Sequence, residues 1–358
     1  MNFASDNTAG IAPAILQAMV AAATGSSPAY GADPYTGRAE AALSETFERP
    51  VAAFLVGTGT GANALALGAV TSPWSAVFCH EEAHIHDDEC GAPELFTGGA
   101  KLVGIDGEGG KITPDALRET LGRFPRGLVK GVQPGVLSLS QATEAGTIYA
   151  LDEIAALTAI AHEAGVAVHM DGARFANAMV ELGCSPAQMS WRAGIDVLSF
   201  GATKNGAMGC EAVIFFNREQ AANFAFQRKR GGHVLSKGRF LGAQMAAYLD
   251  DGLWLKLARR ANESAERLAK GLLHIPGVRL AWPRQANEIF PIAPRALVAA
   301  LKAEGASFYE WTSRAVAPAL AAREGEAFLR LICSFDTSDA EIDRLLAVAA
   351  GVRAAGRG

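Results

Sequence analysis

Along most of the chain, short apolar runs alternate with segments in which hydrophobic residues recur at helical spacing. Short apolar runs predict β-strands, and they lie at residues 52–56, 76–79, 136–139, 166–170, 197–200 and 212–216. Between two of these runs, Ile154, Leu157 and Ala161 recur at the spacing of one helix face, and Gly165 follows as a stop signal. This alternation predicts an α/β fold in which helices cover both faces of a mostly parallel sheet.

The pattern changes in the last third of the chain. A long helical segment begins near Trp254, and short strands then alternate with further helices. Ser338 and Glu341 have the spacing of a capping box in front of the last helix. We therefore predict a large α/β domain over residues 1–249, which includes the N-terminal segment, and a smaller C-terminal α+β domain over residues 250–358.

Composition and charge exclude several classes of protein. Of 358 residues, 50% are hydrophobic and 19% are charged, which is globular composition. Lys and Arg number 32 against 37 for Asp and Glu, so the net charge is −5, without the basic footprint of a protein that binds nucleic acid or an anionic membrane. Residues 51–79 are uncharged, but glycines and Pro73 interrupt them, so we predict buried elements and not a membrane span.

The cysteines and the N-terminus favour a cytoplasmic location. The five cysteines are odd in number and form no CxxC pair, which argues for reduced thiols and against a disulfide framework or a zinc site. The apolar residues 11–23 lack the basic leader of a signal peptide. We therefore expect a cytoplasmic protein without a bound metal.

Polar segments follow the predicted strands where each strand ends. In an open α/β sheet, ligands bind beyond the carboxyl ends of the strands. The segments found there are residues 57–63, 81–89, 141–144, 171–174 and 202–206. These segments therefore contain the candidate functional residues.

The glycine loop after the first strand is ambiguous by itself. Gly57, Gly59 and Ala62 match a GxGxxA dinucleotide fingerprint, and Glu81 lies nineteen residues beyond Ala62, near the place of an acidic ribose ligand. Glycines also let backbone N–H groups approach a phosphate at a helix N-terminus. The loop leaves a nicotinamide-dependent dehydrogenase, another phosphate ligand and a purely structural turn open.

Asp171 and Lys204 favour one phosphate ligand over the others. Each follows a predicted strand, with one strand–helix–strand unit between them, so they can face one crevice. Pyridoxal phosphate needs a carboxylate that keeps its pyridinium nitrogen protonated and a lysine that holds its aldehyde. The ordered set of glycine loop, Asp171 and Lys204 is more specific than any of its parts.

With these residues in place, the sequence resembles the low-specificity L-threonine aldolases, in the branch that includes L-phenylserine aldolase. The resemblance covers nearly the whole chain, and its most specific segments are residues 88–94 and 169–175. Other matching segments are residues 5–7, 30–31, 57–63, 141–146 and 203–206, together with His84 and Arg330. It implies a pyridoxal-phosphate enzyme of fold type I that cleaves L-β-hydroxy-α-amino acids to glycine and an aldehyde.

The resemblance also implies roles for single residues. Lys204 corresponds to the Schiff-base lysine, Asp171 to the partner of the pyridinium nitrogen, and His84 to a histidine stacked on the ring. The residues that match the phosphate loop are Thr58, Gly59 and Thr60, and those that match the groups on the substrate carboxylate are Ser5, Arg174 and Arg330. Further candidates are Arg174, Thr203 and Lys237 for the cofactor, and Tyr30 and His86 for the substrate.

Two departures from the family pattern affect this assignment. Many threonine aldolases carry a histidine near the substrate hydroxyl, and Glu144 stands in its place here. The later phosphate-binding arginine has no clean match, and Lys237 and Arg239 are the candidates. The base that removes the β-hydroxyl proton is therefore left open among Glu144, His84, His86 and a water molecule. A carboxylate would need a pKa raised by burial to serve near neutral pH.

Competing functions remain open at this point. They are another enzyme of the same fold type, such as a transaminase or a β-eliminating lyase; a nicotinamide-dependent dehydrogenase; and a non-catalytic binding protein. The expected partners are a small amino acid, an aldehyde and further copies of the chain. Because the family builds its sites at a subunit boundary, we expect a dimer or a tetramer.

Overall fold

A seven-stranded sheet forms the centre of the protein, which we describe from a computed structural model over residues 1–312 and 314–355. The sheet has the order β1-β7-β6-β5-β4-β2-β3. Its strands are β1 (Ala52–Val56), β2 (Ser75–His80), β3 (Lys101–Ile105), β4 (Gln133–Ser140), β5 (Ala167–Gly172), β6 (Val197–Gly201) and β7 (Glu211–Phe215). Paired strands among β2–β6 run parallel, and β7 is antiparallel to β1 and β6. The predicted mostly parallel sheet is confirmed.

Helices cover both faces of this sheet, as predicted. They are α1 (Pro13–Ala22), α2 (Pro34–Thr46), α3 (Gly59–Val70), α4 (His84–Asp87), α5 (Ala92–Thr97), α6 (Pro114–Gly122), α7 (Leu151–Glu163), α8 (Phe175–Leu182), α9 (Pro186–Met189), α10 (Phe224–Arg230) and α11 (Arg239–Leu249). Val197 of β6 packs with Leu65 of α3 in one buried cluster. Its neighbour Leu198 packs with Leu157 of α7 in another, because successive side chains of a strand point to opposite faces.

A second sheet follows in the last third of the chain. Its strands are β8 (Arg279–Leu280), β9 (Glu288–Ile289), β10 (Pro291–Pro294), β11 (Tyr309–Glu310) and β12 (Glu326–Ile332). Three helices pack on it, α12 (Leu253–Leu273), α13 (Arg295–Ala303) and α14 (Asp339–Ala355). Ser338 and Glu341 form the predicted capping box, since the Glu341 N–H donates to Ser338 Oγ at 3.3 Å and the Ser338 N–H to Glu341 Oε2 at 3.2 Å.

The N-terminal segment packs on this second sheet. The Phe3 N–H donates to the Ser307 carbonyl oxygen at 2.8 Å, and the Ile332 N–H donates to the Phe3 carbonyl oxygen at 2.9 Å. Phe3 is fully buried in the second core. The strand-like pairing carries the next residues of the chain, Ser5 and Asp6, towards the central sheet. The division into domains at residue 249 stays a prediction.

The uncharged residues 51–79 form β1, α3 and most of β2, with a loop before each of the last two elements. Over the described parts of the chain, no helix combines the length and the apolar character needed to span a lipid bilayer.

Candidate active site

A cavity of about 340 Å³ opens at the carboxyl ends of the central strands. The loops that follow β1, β4, β5 and β6 contribute its walls, which is where an open α/β sheet binds its ligands. Nine of the residues predicted from the sequence line it: Thr58, Gly59, Thr60, His84, Glu144, Asp171, Arg174, Thr203 and Lys204. The fold therefore brings most of the predicted site together.

The glycine loop joins β1 to α3 and forms one wall. Thr58 caps the helix, because its Oγ1 accepts a hydrogen bond from the Gly61 N–H at 3.0 Å. Gly61 has no room for a side chain, since a Cβ there would lie 2.3 Å from the His233 ring. A Cβ at Gly57 or Gly59 would meet no atom within 4 Å. Their missing side chains leave cavity space beside a helix N-terminus, where an anion is stabilised.

Lys204 lies on a short 3-10 turn that follows β6. Asn205 anchors this turn, because its amide donates to the Tyr248 hydroxyl and to the Trp254 carbonyl oxygen, each at 2.8 Å. The Lys204 side chain lines the cavity, and its amino group makes no hydrogen bond or ion pair with any residue in the described ranges. The amine is therefore available to a ligand.

Asp171 lies near the end of β5 and is buried. Its Oδ2 accepts a hydrogen bond from Asn63 Nδ2 at 2.8 Å, and its Oδ1 accepts one from the Ala173 N–H at 2.9 Å. These two donors hold the carboxylate in one orientation at the cavity wall. Pyridoxal phosphate requires a fixed carboxylate, an available lysine amine and a site for its phosphate. The helix N-terminus beside the space at Gly57 and Gly59 can provide the phosphate site, so the cavity fits this cofactor.

His84 begins α4 and is held by a neighbouring carboxylate. Its Nδ1 lies 2.8 Å from Oε1 of the buried Glu89, which also accepts a hydrogen bond from Asn63 Nδ2 at 2.9 Å. The hydrogen bond to Glu89 is the main cause of a raised pKa for His84. Burial has the opposite effect on the histidine but is smaller.

Glu144 follows β4 and has the raised pKa that a carboxylate base needs. Its Oε1 accepts hydrogen bonds from the His84 N–H and the Ser140 hydroxyl, both at 2.8 Å. Its Oε2 is buried without a hydrogen-bond partner among the described residues. Burial, with the charge of Asp171 as a second cause, raises the pKa of Glu144 to about 7. The carboxyl group can therefore exchange a proton near neutral pH.

Arg174 lines the cavity but is already paired. Its Nε and Nη2 donate to the two carboxylate oxygens of Asp6 at 2.8 and 3.0 Å. Its Nη1 lies 3.3 Å from Oε2 of Glu288. The acidic pair holds the pKa of Arg174 above its usual range against the effect of burial. The guanidinium is thus fixed in orientation by a bidentate pair.

Arg330 and Ser5 lie beside the cavity and not in its wall. The Arg330 guanidinium carbon lies 3.9 Å from the centroid of the Trp311 ring, and its Nε is buried without a hydrogen-bond partner in the described chain. Burial lowers the pKa of Arg330, and Glu288, which also faces Arg174, opposes that effect. Ser5 Oγ accepts from the N–H of Asn7 at 3.1 Å, and Asn7 lines the cavity.

Three predicted residues do not reach the cavity within one chain. Tyr30 is 57% exposed, with the Lys229 ammonium 5.0 Å from its ring centroid. Lys237 is exposed in the loop before α11. His86 is exposed as a residue and pairs with Asp87 at 3.0 Å. Their assigned roles stay predictions.

Several polar residues of the site were missed by sequence reasoning. Those that line or support the cavity are Asp6, Asn63, Glu89, Glu211, His233 and Glu288. Burial raises the pKa of Glu211 to about 7, and its Oε2 accepts from the Ala202 N–H at 2.8 Å. The one available signal was that Asp6, Asn63 and Glu89 lie within segments that resemble the family.

Comparisons with known proteins agree with this geometry. A profile described as "Beta-eliminating lyase" matches residues 2–293. The low specificity L-threonine aldolase of Pseudomonas aeruginosa is 42% identical over 351 residues, which cover 98% of this chain and 96% of the relative. A threonine aldolase structure from Leishmania major is 29% identical, with a TM-score of 0.90, over 98% of this chain and 99% of the other.

The chain belongs to the beta-eliminating lyase family, among the low-specificity L-threonine aldolases, as its motifs predicted. A serine palmitoyltransferase from Sphingomonas wittichii, 17% identical with a TM-score of 0.72, shares the fold over 99% of this chain and 88% of its own. The predicted type I fold is therefore confirmed. These comparisons give no support to a nicotinamide-dependent dehydrogenase.

Proposed function

We propose that the protein is a pyridoxal-phosphate-dependent aldolase that cleaves L-β-hydroxy-α-amino acids to glycine and an aldehyde. The observation that carries the proposal is that Asp171 and the Lys204 amine, which has no partner among the described residues, line one cavity with the glycine loop. The names of the aldolase relatives support the reaction.

The chain's own groups suit the cofactor in distinct ways. Lys204 would hold its aldehyde carbon, and Asp171 would keep its ring nitrogen protonated. The amides that follow Thr58 would hold its phosphate at the N-terminus of α3. When bound, the cofactor supplies an electron-withdrawing ring that takes up the electron pair of the breaking Cα–Cβ bond.

Two arginines are proposed to orient the amino acid. Arg174 is fixed by Asp6, and Arg330 keeps a buried N–H without a partner in the described residues. A guanidinium binds a carboxylate through two parallel hydrogen bonds, which sets the direction of the neighbouring Cα–Cβ bond. Ser5 lies next to this pair through the N-terminal segment and is the proposed third ligand.

Glu144 is the base that we propose for the β-hydroxyl proton. Its unpartnered Oε2 belongs to a side chain that lines the cavity, and a pKa of about 7 allows the carboxylate to accept a proton near neutral pH. His84 remains the second candidate. An ionised glutamate only accepts hydrogen bonds and has a flexible stem, so it should define the hydroxyl position loosely. We therefore propose that both threo and erythro substrates are cleaved, with L-phenylserine accepted at least as well as L-threonine.

We also propose that the working form is a cytoplasmic dimer or tetramer. Tyr30 and Lys237 lie on the surface of one chain, although the family resemblance gives them roles at the site. A second copy that covers this surface would bring such residues to a neighbouring cavity.

Product analysis tests the reaction. We expect purified protein with pyridoxal phosphate to convert L-phenylserine to glycine and benzaldehyde in equal amounts. A β-eliminating lyase would release ammonia and a keto acid in place of glycine, and a transaminase would require a keto-acid co-substrate. Either result, without glycine, would contradict the proposal.

A further inference from the structure

Glu89 lies in the cavity without a role in the function proposed above. The residue is only 4% exposed, and it follows α4 in a segment rich in acidic residues. Its Oε1 accepts a hydrogen bond from Asn63 Nδ2 at 2.9 Å and lies 2.8 Å from His84 Nδ1. A buried carboxylate is costly unless it is paired, so its place beside the histidine needs an explanation.

Asn63 extends this contact to the other side of the cavity. Its Nδ2 donates to Glu89 at 2.9 Å and to Asp171 Oδ2 at 2.8 Å. One amide therefore bridges two buried carboxylates that would otherwise repel each other. The result is a continuous chain of hydrogen bonds from His84 through Glu89 and Asn63 to Asp171.

The position of Glu89 determines which nitrogen of His84 carries the proton. An ionised carboxylate only accepts hydrogen bonds, so His84 Nδ1 must donate to it. Neutral His84 then has its free lone pair on Nε2. That nitrogen makes no hydrogen bond with any residue over the described ranges.

We propose that Glu89 is a positioning residue that fixes His84 as the Nδ1–H tautomer and sets the plane of its ring, with Asn63 joining this pair to Asp171. The catalytic consequence rests on the proposed function, because His84 can have the stacking role that the family resemblance implies only if the cavity binds pyridoxal phosphate. Burial raises the pKa of Glu89, and the hydrogen bonds with His84 and Asn63 oppose that effect. With Glu89 ionised, the tautomer and the ring orientation follow from the hydrogen bonds without reference to the cofactor.

Other charged groups also face His84. Its pKa is raised by the hydrogen bond to Glu89 and by the charge of Asp171, and lowered by burial and by the charge of Lys204. Glu144 contacts the histidine only through the backbone N–H. Because the bond to Glu89 is the largest of these effects, its loss should move the titration of His84 to lower pH.

The first test uses the wild-type apoprotein and long-range ¹H–¹⁵N NMR of its histidine side chains. The His84 signals are assigned by their loss in His84→Gln. We expect neutral His84 to keep its proton on Nδ1. An Nε2–H tautomer would overturn the proposal, and this result does not depend on bound cofactor.

The second test compares Glu89→Gln with Asp88→Asn, which makes the same change of charge at an exposed neighbour. In Glu89→Gln the His84 titration midpoint should fall. We expect kcat with saturating cofactor to fall about 10- to 100-fold, the size of effect known for removal of a carboxylate behind a metal-bound histidine. KM should change less than twofold. Asp88→Asn should match the wild type in the His84 titration midpoint, in kcat and in KM. A wild-type His84 midpoint and kcat in Glu89→Gln would contradict the proposal.

The two tests separate this inference from the proposed function. A protein that cleaves no β-hydroxy amino acid but keeps the Nδ1–H tautomer would contradict the proposed function and support the positioning by Glu89. An active aldolase with the Nε2–H tautomer would support the proposed function and contradict the positioning by Glu89.

Discussion

Arg330 has a buried Nε–H without a hydrogen-bond partner in the part of the chain that the structure describes, and it lies next to Arg174 and Glu288. If it binds the substrate carboxylate, Arg330→Ala should lose about 2–5 kcal/mol of transition-state binding and lower kcat/KM accordingly. Cofactor affinity should be unchanged, and Arg344→Ala, at an exposed position of α14, should match the wild type in steady-state kinetics. Loss of cofactor with a normal KM would show that Arg330 serves the phosphate.

Glu144 should give the reaction its pH dependence. The base must be ionised, and its pKa is raised from 4.5 to about 7, so kcat should rise with pH through that value. Glu144→Gln keeps the shape, and its carbonyl can still accept from the His84 N–H. In the variant, kcat should no longer rise with pH, and it should be lower by about 100-fold or more for both substrate diastereomers. The variant should still bind the cofactor. Equal kcat values at every pH would return the base role to His84, His86 or water.

The raised pKa of Glu144 also affects the apoprotein's stability. Between pH 4.5 and about 7 the folded state keeps a proton on this group that the unfolded state has lost. The free energy of unfolding therefore falls with rising pH in that window. Glu144→Gln removes this contribution, so its stability relative to the wild type in urea should improve from pH 5 to pH 8. A constant difference across that range would show that the carboxyl group does not titrate there.

The sequence predicted which residues follow the strands, but it did not predict which of these side chains are buried. Lys204, Asp171 and the glycine loop were found because each follows an apolar run, and parallel strands end at one edge. Glu89 lies in a polar segment after a strand and Glu211 at a strand start, and neither was given a role because an acid in such a place looks solvent-exposed. Their burial depends on the packing of α3 against α4 and β7, and β7 lies far along the chain from both helices.

The N-terminus of α3 contains a glycine, Gly61, that has no space for a side chain. In Gly61→Ala the new Cβ would lie 2.3 Å from the His233 ring, so the ring or the loop must move. Overpacking of this kind costs about 1–3 kcal/mol. We expect a lower melting temperature and at least about tenfold weaker cofactor binding by fluorescence titration.

Two variants control this experiment. Gly122→Ala, in α6, places its Cβ in open space. It should leave cofactor binding unchanged, and the melting temperature should be unchanged or slightly higher. Gly61→Ala combined with His233→Ala removes the contact with the ring and leaves the one with Thr58 Oγ1 at 2.9 Å, so the double variant should recover much of the loss. No recovery in the double variant would mean that the loop, and not the ring, is the strained part.

Strand β3 shows why one element of the sheet was missed. It lies at the sheet edge with β2 as its single partner, and Lys101 and Gly104 are exposed. An edge strand of this kind lacks the continuous apolar run that revealed its buried neighbours. Helix α3 begins within the glycine loop, at Gly59, because Thr58 provides its cap.

The N-terminal segment was predicted to belong with the large domain, but its pairing partners could not be read from the sequence. Phe3 pairs with Ser307 and Ile332, which are more than 300 residues away in the chain. No local pattern encodes a contact of that range. The pairing is what places Asp6 against Arg174.

The oligomeric state is the prediction that concerns the whole molecule. We expect light scattering to give the mass of a dimer or a tetramer, because Tyr30 and Lys237 are exposed in one chain. Specific activity should fall on dilution as the assembly dissociates. A monomer with full, concentration-independent activity would contradict the shared-site proposal.

The most direct measurement of the central claim is the site at which the cofactor is attached. Protein saturated with pyridoxal phosphate is reduced with borohydride, digested and mapped by mass spectrometry. We predict one pyridoxyl-phosphate adduct, on Lys204, and none in Lys204→Ala, while Lys101→Ala, at an exposed position of β3, keeps the adduct. A stoichiometric adduct on another lysine, or none in the wild type, would contradict the assignment of this cavity to the cofactor.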